Sequence, residues 1–251
     1  MPRPRLGIGI NCFSATEILR HTLKPIRTAH YVVAVVSKES FQGIPIPKKN
    51  LDTINQLHSE GFIDEVVYAE YESSMPPKER EISSRNKGLT MATKNGCTHF
   101  MTMDEDEIYH EDEFRKAFDI VVEEGAESSY CKIYDYYKSM DLRVSPPPEY
   151  VVPFIYKING RHFGSNVWNI KADSTRKMRP GKVVSLPRDV VSMHHMSWVR
   201  DNIRLKLFNS STYNSSNHEL REKMAKYYDS WSNGDKAWIY GHGFKDLIKT
   251  Q

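Results

Sequence analysis

Four carboxylates stand in a row at Asp104, Glu105, Asp106 and Glu107, directly after the apolar run HFMTM. Adjacent like charges repel, and unpartnered carboxylates at the end of a buried strand titrate upward and cost stability. A hard divalent cation resolves that conflict. Asp104 and Asp106 fall on the same side of an extended backbone, which suits oxygen coordination of Mg²⁺ or Mn²⁺ bridging a diphosphate. An acidic helix start, favourable to the macrodipole, accounts for Glu107, Glu111 and Asp112 but leaves Asp104 unexplained. A second group with chemical potential is SMHHMSWVR. Neighbouring histidines on an extended segment point to opposite faces, so only one of His194 and His195 reaches any given site.

The elements that must position these groups alternate through the first half of the chain. RLGIGIN, YVVAVVS, IDEVVYAEY and THFMTMD read as strands. SATEILRHTLKPI, PKKNLDTINQLHSEG and KEREISSRNKGLTMATKNG read as helices, the last closed by Gly96. Such alternation predicts right-handed βαβ units and an α/β fold built on a mixed, mostly parallel sheet flanked by helices. Ligands of such sheets bind beyond the carboxyl ends of the strands, where Asn11, Ser37 and the acidic cluster fall. HEDEFRKAFDIVVEEG predicts another helix, and the Tyr- and Val-rich stretch that follows, broken by Pro146–Pro148, predicts antiparallel strands. HFGSNVWNIKADSTRKMRPGK reads as a loop-rich, substrate-facing region. After the histidine pair come a basic amphipathic helix and, to the end, one or two more helices. The expected organisation is one domain over residues 1–200 and a C-terminal helical extension over 201–251.

Bulk composition narrows the class. A chain of 251 residues with 39% hydrophobic residues buries one substantial core. Its net charge of +3 is too small to mark a nucleic-acid-binding protein by charge alone. Three scattered cysteines, Cys12, Cys97 and Cys131, provide neither a disulfide framework nor a four-ligand zinc site and suit a reducing compartment. With no secretory leader and no apolar run of membrane length, the expectation is a cytoplasmic protein without a transmembrane segment. The Asn-x-Ser matches at Asn209 and Asn214 therefore carry no weight.

The order Arg-Asn, helix, strand and Asp-x-Asp in SSRNKGLTMATKNGCTHFMTMDEDE resembles that of family-2-like glycosyltransferases of the GT-A fold. The segment His195-Met196-Ser197-Trp198 is similar to the His-Cys-Ser-Trp of one N-acetylglucosaminyltransferase family, which favours His195 over His194. The resemblance implies an enzyme that moves a hexosyl or pentosyl group from a nucleotide-diphosphate sugar to an acceptor hydroxyl, with Mn²⁺ or Mg²⁺ as cofactor. Arg85 and Asn86, read as a helix start, would contact the diphosphate. Asp104 would face ribose and metal, Asp106 would hold the metal, and a late histidine, His195 or else His194, would complete its shell. Glu39 stands where these families place a base-reading Asp, and Asn11 lines the same strand ends. Their usual late Glu-Asp pair is absent, leaving Asp189 and Asp173 as candidate catalytic bases. Tyr130, Tyr134, Tyr136, Tyr137, Trp168 and Trp198 either line an acceptor groove or fill the core of the antiparallel section. The acceptor is a glycan, a small molecule or a hydroxymethylated base in DNA, for which the basic stretches STRKMRPGK and RDNIRLKL would form a rim.

Two other classes compete. A nucleotidyltransferase shares the sheet and the metal carboxylates, but GIGINCFSATE lacks the basic residues of its phosphate loop. A non-catalytic sugar- or nucleic-acid-binding module would use the acidic cluster only as a helix cap.

Overall fold

The computed structural model describes residues 3–14, 16–72, 74–164, 168–213 and 215–250, so the Asn214 sequon lies outside the described residues. The runs LGIGINC and YVVAVVS, apolar on both faces, form central strands β1 (Leu6–Cys12) and β2 (Tyr31–Ser37). Helix α1 (Thr16–Leu23) crosses between them, and α2 (Lys48–Ser59) leads on to β3 (Glu65–Ala69). Helix α3 (Pro77–Lys94) begins at a Pro-Pro step that presets its first turn and ends before Gly96 at φ +71°. It delivers β4 (His99–Asp104), which completes a parallel order β3-β2-β1-β4.

The second half is built differently. A short β5 (Glu107–Ile108) and helix α4 (Glu111–Glu123) precede β6 (Ser128–Tyr137), β7 (Leu142–Ser145) and β8 (Val151–Lys157). Strand β8 runs antiparallel between β4 and β6, and β7 is antiparallel to β6. Strands β9 (Val183–Ser185) and β10 (Ser192–Trp198) pair with β6 in parallel, while β5 pairs antiparallel with β10. This register sets His195 opposite Glu107 on one side and Asp135 on the other. Acidic cluster and histidine pair, far apart in the chain, thereby meet.

Helices α5 (Ile203–Asn209) and α6 (His218–Ser230) follow, as the helical extension predicts. Beyond them the chain adds a hairpin of β11 (Ala237–Ile239) and β12 (Gly243–Lys249), and β12 joins the sheet edge at β7. The hairpin has little local signature: its pairing with β7, together with Gly241 and Gly243 at positive φ, makes strands of segments too short to announce themselves. The whole is a mixed α/β sheet of twelve strands with six α-helices among the described residues. No helix among the described residues is long and apolar enough to cross a membrane.

The middle of β1 and the start of β4 pack closely against α3. A Cβ on Gly9 would stand 2.8 Å from the Phe100 ring and 3.2 Å from the Gly88 backbone of α3. Gly9→Ala is therefore expected to cost about 1–3 kcal/mol by overpacking, read as a lower urea midpoint with an unchanged m-value. An unshifted midpoint would show that α3 has room to move.

Candidate functional site

Asp104 ends β4 beside its register partner Asn11, whose Nδ2 donates to Asp104 Oδ1 at 3.3 Å. Arg85 reaches across from α3, with Nη1 3.2 Å from Oδ1 and Nη2 3.4 Å from Oδ2. Arg176, on a single 3-10 turn at Ser174–Arg176, donates to Oδ2 at 2.6 Å and also binds Glu107. Burial by itself raises Asp104, but the Arg176 and Arg85 guanidiniums outweigh it and hold the carboxyl well below the usual range. Both oxygens are hydrogen-bonded, so a metal ion or ribose at Asp104 would share them with Arg85 and Arg176.

Two expectations on α3 are corrected. Arg85 is mid-helix and fully buried, so helix N-terminal amides do not accompany it; its guanidinium braces Asp104, Glu81 (2.5 Å), Thr102 (3.0 Å) and Thr175 (3.2 Å). Asn86 is taken up by the Phe163 backbone. Its amide accepts from the Phe163 backbone N–H at 2.9 Å and donates to the Phe163 carbonyl at 3.3 Å.

Asp106 is turned inward between β4 and β5 and is buried. Its Oδ2 accepts from Arg200 and lies 3.5 Å from Lys206 Nζ, both brought from the chain after β10. Its Oδ1 faces His195 Nε2 at 3.9 Å. His195 Nδ1 is 2.9 Å from Asp135 Oδ1, and Tyr150 donates its hydroxyl to Asp135 Oδ2 at 3.1 Å. With Nδ1 assigned as the donor to Asp135, Nε2 is aimed at Asp106. Burial works against a charged imidazole, but Asp135 and Asp106 outweigh it and raise His195 above its ordinary value. Burial also raises Asp106; Lys206, Arg200 and His195 bring it below the carboxylate range.

The adjacent histidine does the opposite. His194 projects from the other face of β10, 2.7 Å from the Tyr136 hydroxyl, and burial, then His110 and Arg143, push it down to about 4. It is no partner of Asp106, and its candidacy as a metal ligand ends there. His99, at the start of β4, is likewise pushed down to about 4 by burial and Lys157. A histidine whose folded value lies below its unfolded value of about 6.5 adds stability that is full above that value and is lost as pH falls toward 4. His99→Gln is thus expected to flatten the decline in urea midpoint between pH 6.5 and 4. An equally steep decline in the variant would assign the acid sensitivity to other groups.

Glu105 belongs to a different job: its Oε1 accepts from the backbone N–H of Phe13 (3.1 Å) and of Ser14, fixing the loop after β1. Asp189 sits exposed in the turn before β10 and lines neither cleft described below, so it is not placed to act as a base. Asp173 caps the turn carrying Arg176, accepting from the Thr175 N–H and hydroxyl, both at 2.9 Å, with its carboxylate half exposed. Glu39 is exposed after β2, 3.9 Å from Arg80. Tyr136, Tyr137, Trp168 and Trp198 are buried in core clusters, as the core alternative for the aromatics holds.

Two clefts meet over these groups. One, of about 820 Å³, lies at the carboxyl ends of β1, β2 and β4 and includes Asn11, Ser37, Glu39, Asp106 and Arg200. The second, of about 1140 Å³, runs over β6 and β10 past Asp135, Tyr150, Asp173 and His195. Asp104 and Lys206 line both. Arg200 Nη1 is buried without a hydrogen-bond partner beside the first cleft. Among the described residues no three His, Cys, Asp or Glu side chains are grouped to hold a metal ion. Sequence reasoning missed Asp135, Arg176, Arg200 and Lys206 as individual site residues. The last three lie within the basic stretches singled out, and Asp135 is the one acid in the strand SSYCKIYDYY.

By sequence the chain matches no protein-family model and no curated protein. By structure it is similar to S. aureus TarS residues 1–349, with a TM-score of 0.50 and 13% identity over 92% of this chain and 74% of that one. The same fragment in complex with UDP matches with the same figures. The fold is GT-A-like, the glycosyltransferase type of α/β sheet.

Proposed function

We propose that the protein is a glycosyltransferase that moves a sugar from a nucleotide diphosphate to an acceptor hydroxyl. The observation that carries this reading is the meeting of two clefts over Asp104 and Lys206, as a transfer between two substrates requires. The cleft at the strand ends takes the nucleotide sugar, with Asn11 and Glu39 on its wall; the TarS fragment of like fold holds UDP. Lys206 and Arg200, whose Nη1 makes no hydrogen bond and lies 4.0 Å from Glu17, are placed to meet the diphosphate. Ligands about 2 Å from one ion stand roughly 3–4 Å apart, so Asp106 Oδ1 and His195 Nε2 at 3.9 Å fit a divalent cation that draws its other ligands from the diphosphate. Bound there, Mn²⁺ or Mg²⁺ would neutralise charge on the leaving nucleotide. Asp173, half exposed on the second cleft, is the carboxylate available to take the acceptor proton. Residues 1–200 supply most of both clefts and residues 201–251 close them with Lys206.

A nucleotidyltransferase is disfavoured by Glu105. The loop that would cradle a phosphate after β1 commits its Phe13 and Ser14 amides to that carboxylate. The acceptor is a glycan, or a hydroxymethylated base in DNA; salt-sensitive retention of modified duplex in a gel shift would select the second.

The test is thermal denaturation with UDP and a panel of sugar nucleotides, each with Mn²⁺, Mg²⁺ or chelator. A ligand that binds only the native state raises the midpoint. A metal-dependent rise for one nucleotide, lost in Asp106→Ala and His195→Ala, is expected. No rise with any of them, in folded protein, would leave a non-catalytic binding module as the better reading.

A further inference from the structure

Behind β10, on the face opposite His195, lies a separate open groove of about 1570 Å³. Its rim brings together three cations and three imidazoles from five parts of the chain: His21 and Lys24 at the end of α1, His110 before α4, Arg143 on β7, His194 on β10 and Lys249 on β12. None of these six takes part in a salt bridge among the described residues. The one carboxylate on the rim, Glu111, is engaged by Arg115 at 2.9 Å.

The cluster is also preshaped. The Arg143 guanidinium lies over the Tyr134 ring at 4.4 Å, with Arg188 at 4.5 Å from the same ring, so the ring locates it while its N–H groups have no acceptor among the described residues. A guanidinium whose N–H groups are free has two parallel donors to offer, the geometry that fits two oxygens of a phosphoryl group. The Tyr136 hydroxyl holds His194 by Nδ1 at 2.7 Å, and the His110 ring meets the His194 ring edge-on at 4.6 Å. His194 Nε2 and the His110 ring nitrogens, which make no hydrogen bond among the described residues, remain to donate or accept at the groove. Tyrosine and histidine faces beside a bidentate arginine suit an organic phosphate better than a bare halide.

The geometry points to a second ligand site in this groove, one that binds a phosphoryl group through Arg143 and the His110–His194 pair, with Lys24 and Lys249 neutralising further charge. It is separate from the donor cleft, because β10 lies between them and the two share no lining residue. The phosphoryl group belongs either to a small phosphomonoester or to a phosphodiester.

The experiment is ¹H–¹⁵N NMR of the full chain, following the Arg Nε–H and backbone amide signals during titration with inorganic phosphate and, separately, dimethyl phosphate as a diester probe. Saturable shifts at Arg143 and around His110 are expected, weakened at least tenfold in Arg143→Gln and in the surface pair His21→Gln/Lys24→Gln. Binding of UDP, read by thermal shift, is expected to be unchanged in both variants. Preference for inorganic phosphate assigns a monoester, and preference for dimethyl phosphate a diester. Shifts confined to Lys206 and Arg200, or equal affinity for phosphate and chloride that marks an adventitious ion only, would overturn the site. So would unweakened phosphate binding in both variants.

Discussion

Asp106→Asn is expected to lower sugar-nucleotide turnover by about 10²- to 10³-fold while the protein stays folded, measured as release of nucleotide diphosphate at saturating donor. The reason lies in what each oxygen of the acidic cluster touches. Asp104 is hydrogen-bonded by Asn11, Arg85 and Arg176, and Glu107 by Arg176, whereas Asp106 keeps Oδ1 turned toward His195. Asparagine retains the shape but loses the charge that offsets Lys206 and Arg200 and that a cation would bind. The companion change Asp135→Asn leaves Asp106 and His195 in place and removes the carboxylate that holds His195 by Nδ1. It is expected to cost 10- to 100-fold, the usual scale for a partner that orients a ligand, with raised metal demand. Full activity in Asp106→Asn would remove that residue from the site. Loss in Asp135→Asn without any change in metal demand would make Asp135 merely structural.

The second large effect is on stability. Arg176→Met removes one buried guanidinium and strands two carboxylates, Asp104 and Glu107, which it binds together. Breaking a buried ion pair from one side costs about 3–5 kcal/mol, far more than the pair's net worth, because a bare charge stays behind. Burial already raises Glu107 despite Arg176, so without its partner the carboxyl takes up a proton and the loss grows as pH rises above the ordinary carboxylate range. Arg176→Met/Glu107→Leu is expected to recover a large part of the deficit in urea unfolding. If the double variant is no more stable than Arg176→Met, the cost arises from Asp104 alone.

These residues show what was legible beforehand. The parallel half of the sheet was plain in LGIGINC and YVVAVVS, because strands buried on both faces have no polar side to disguise them. Strand alternation puts His194 and His195 on opposite faces, and the structure separates them in that way; the preference for His195 comes only from the resemblance. Arg85 is not at a helix start: Pro76 and Pro77 begin the helix two turns before it, so the arginine enters from the side of α3 as a buried brace. The role of Asp104 was unreadable for the same reason. Nothing local reveals that two arginines, one from α3 and one from a 3-10 turn much later in the chain, converge on a single carboxylate. Asp135 was hidden by its tyrosines, since one acid in a half-buried strand is seen to matter only once β10 is laid beside β6.

Asp106 meets Arg200 and Lys206 at sequence separations of 94 and 100 residues. Contacts so distant close large loops, and their entropy must be lost before they return any energy. The strands and α3, joined by short crossovers, can form first, but the reactive corner cannot exist until the last quarter of the chain has docked. During synthesis the parallel strands β1–β4 are made well before Arg200 and Lys206, so that half of the sheet exists in the chain before the corner it is to carry.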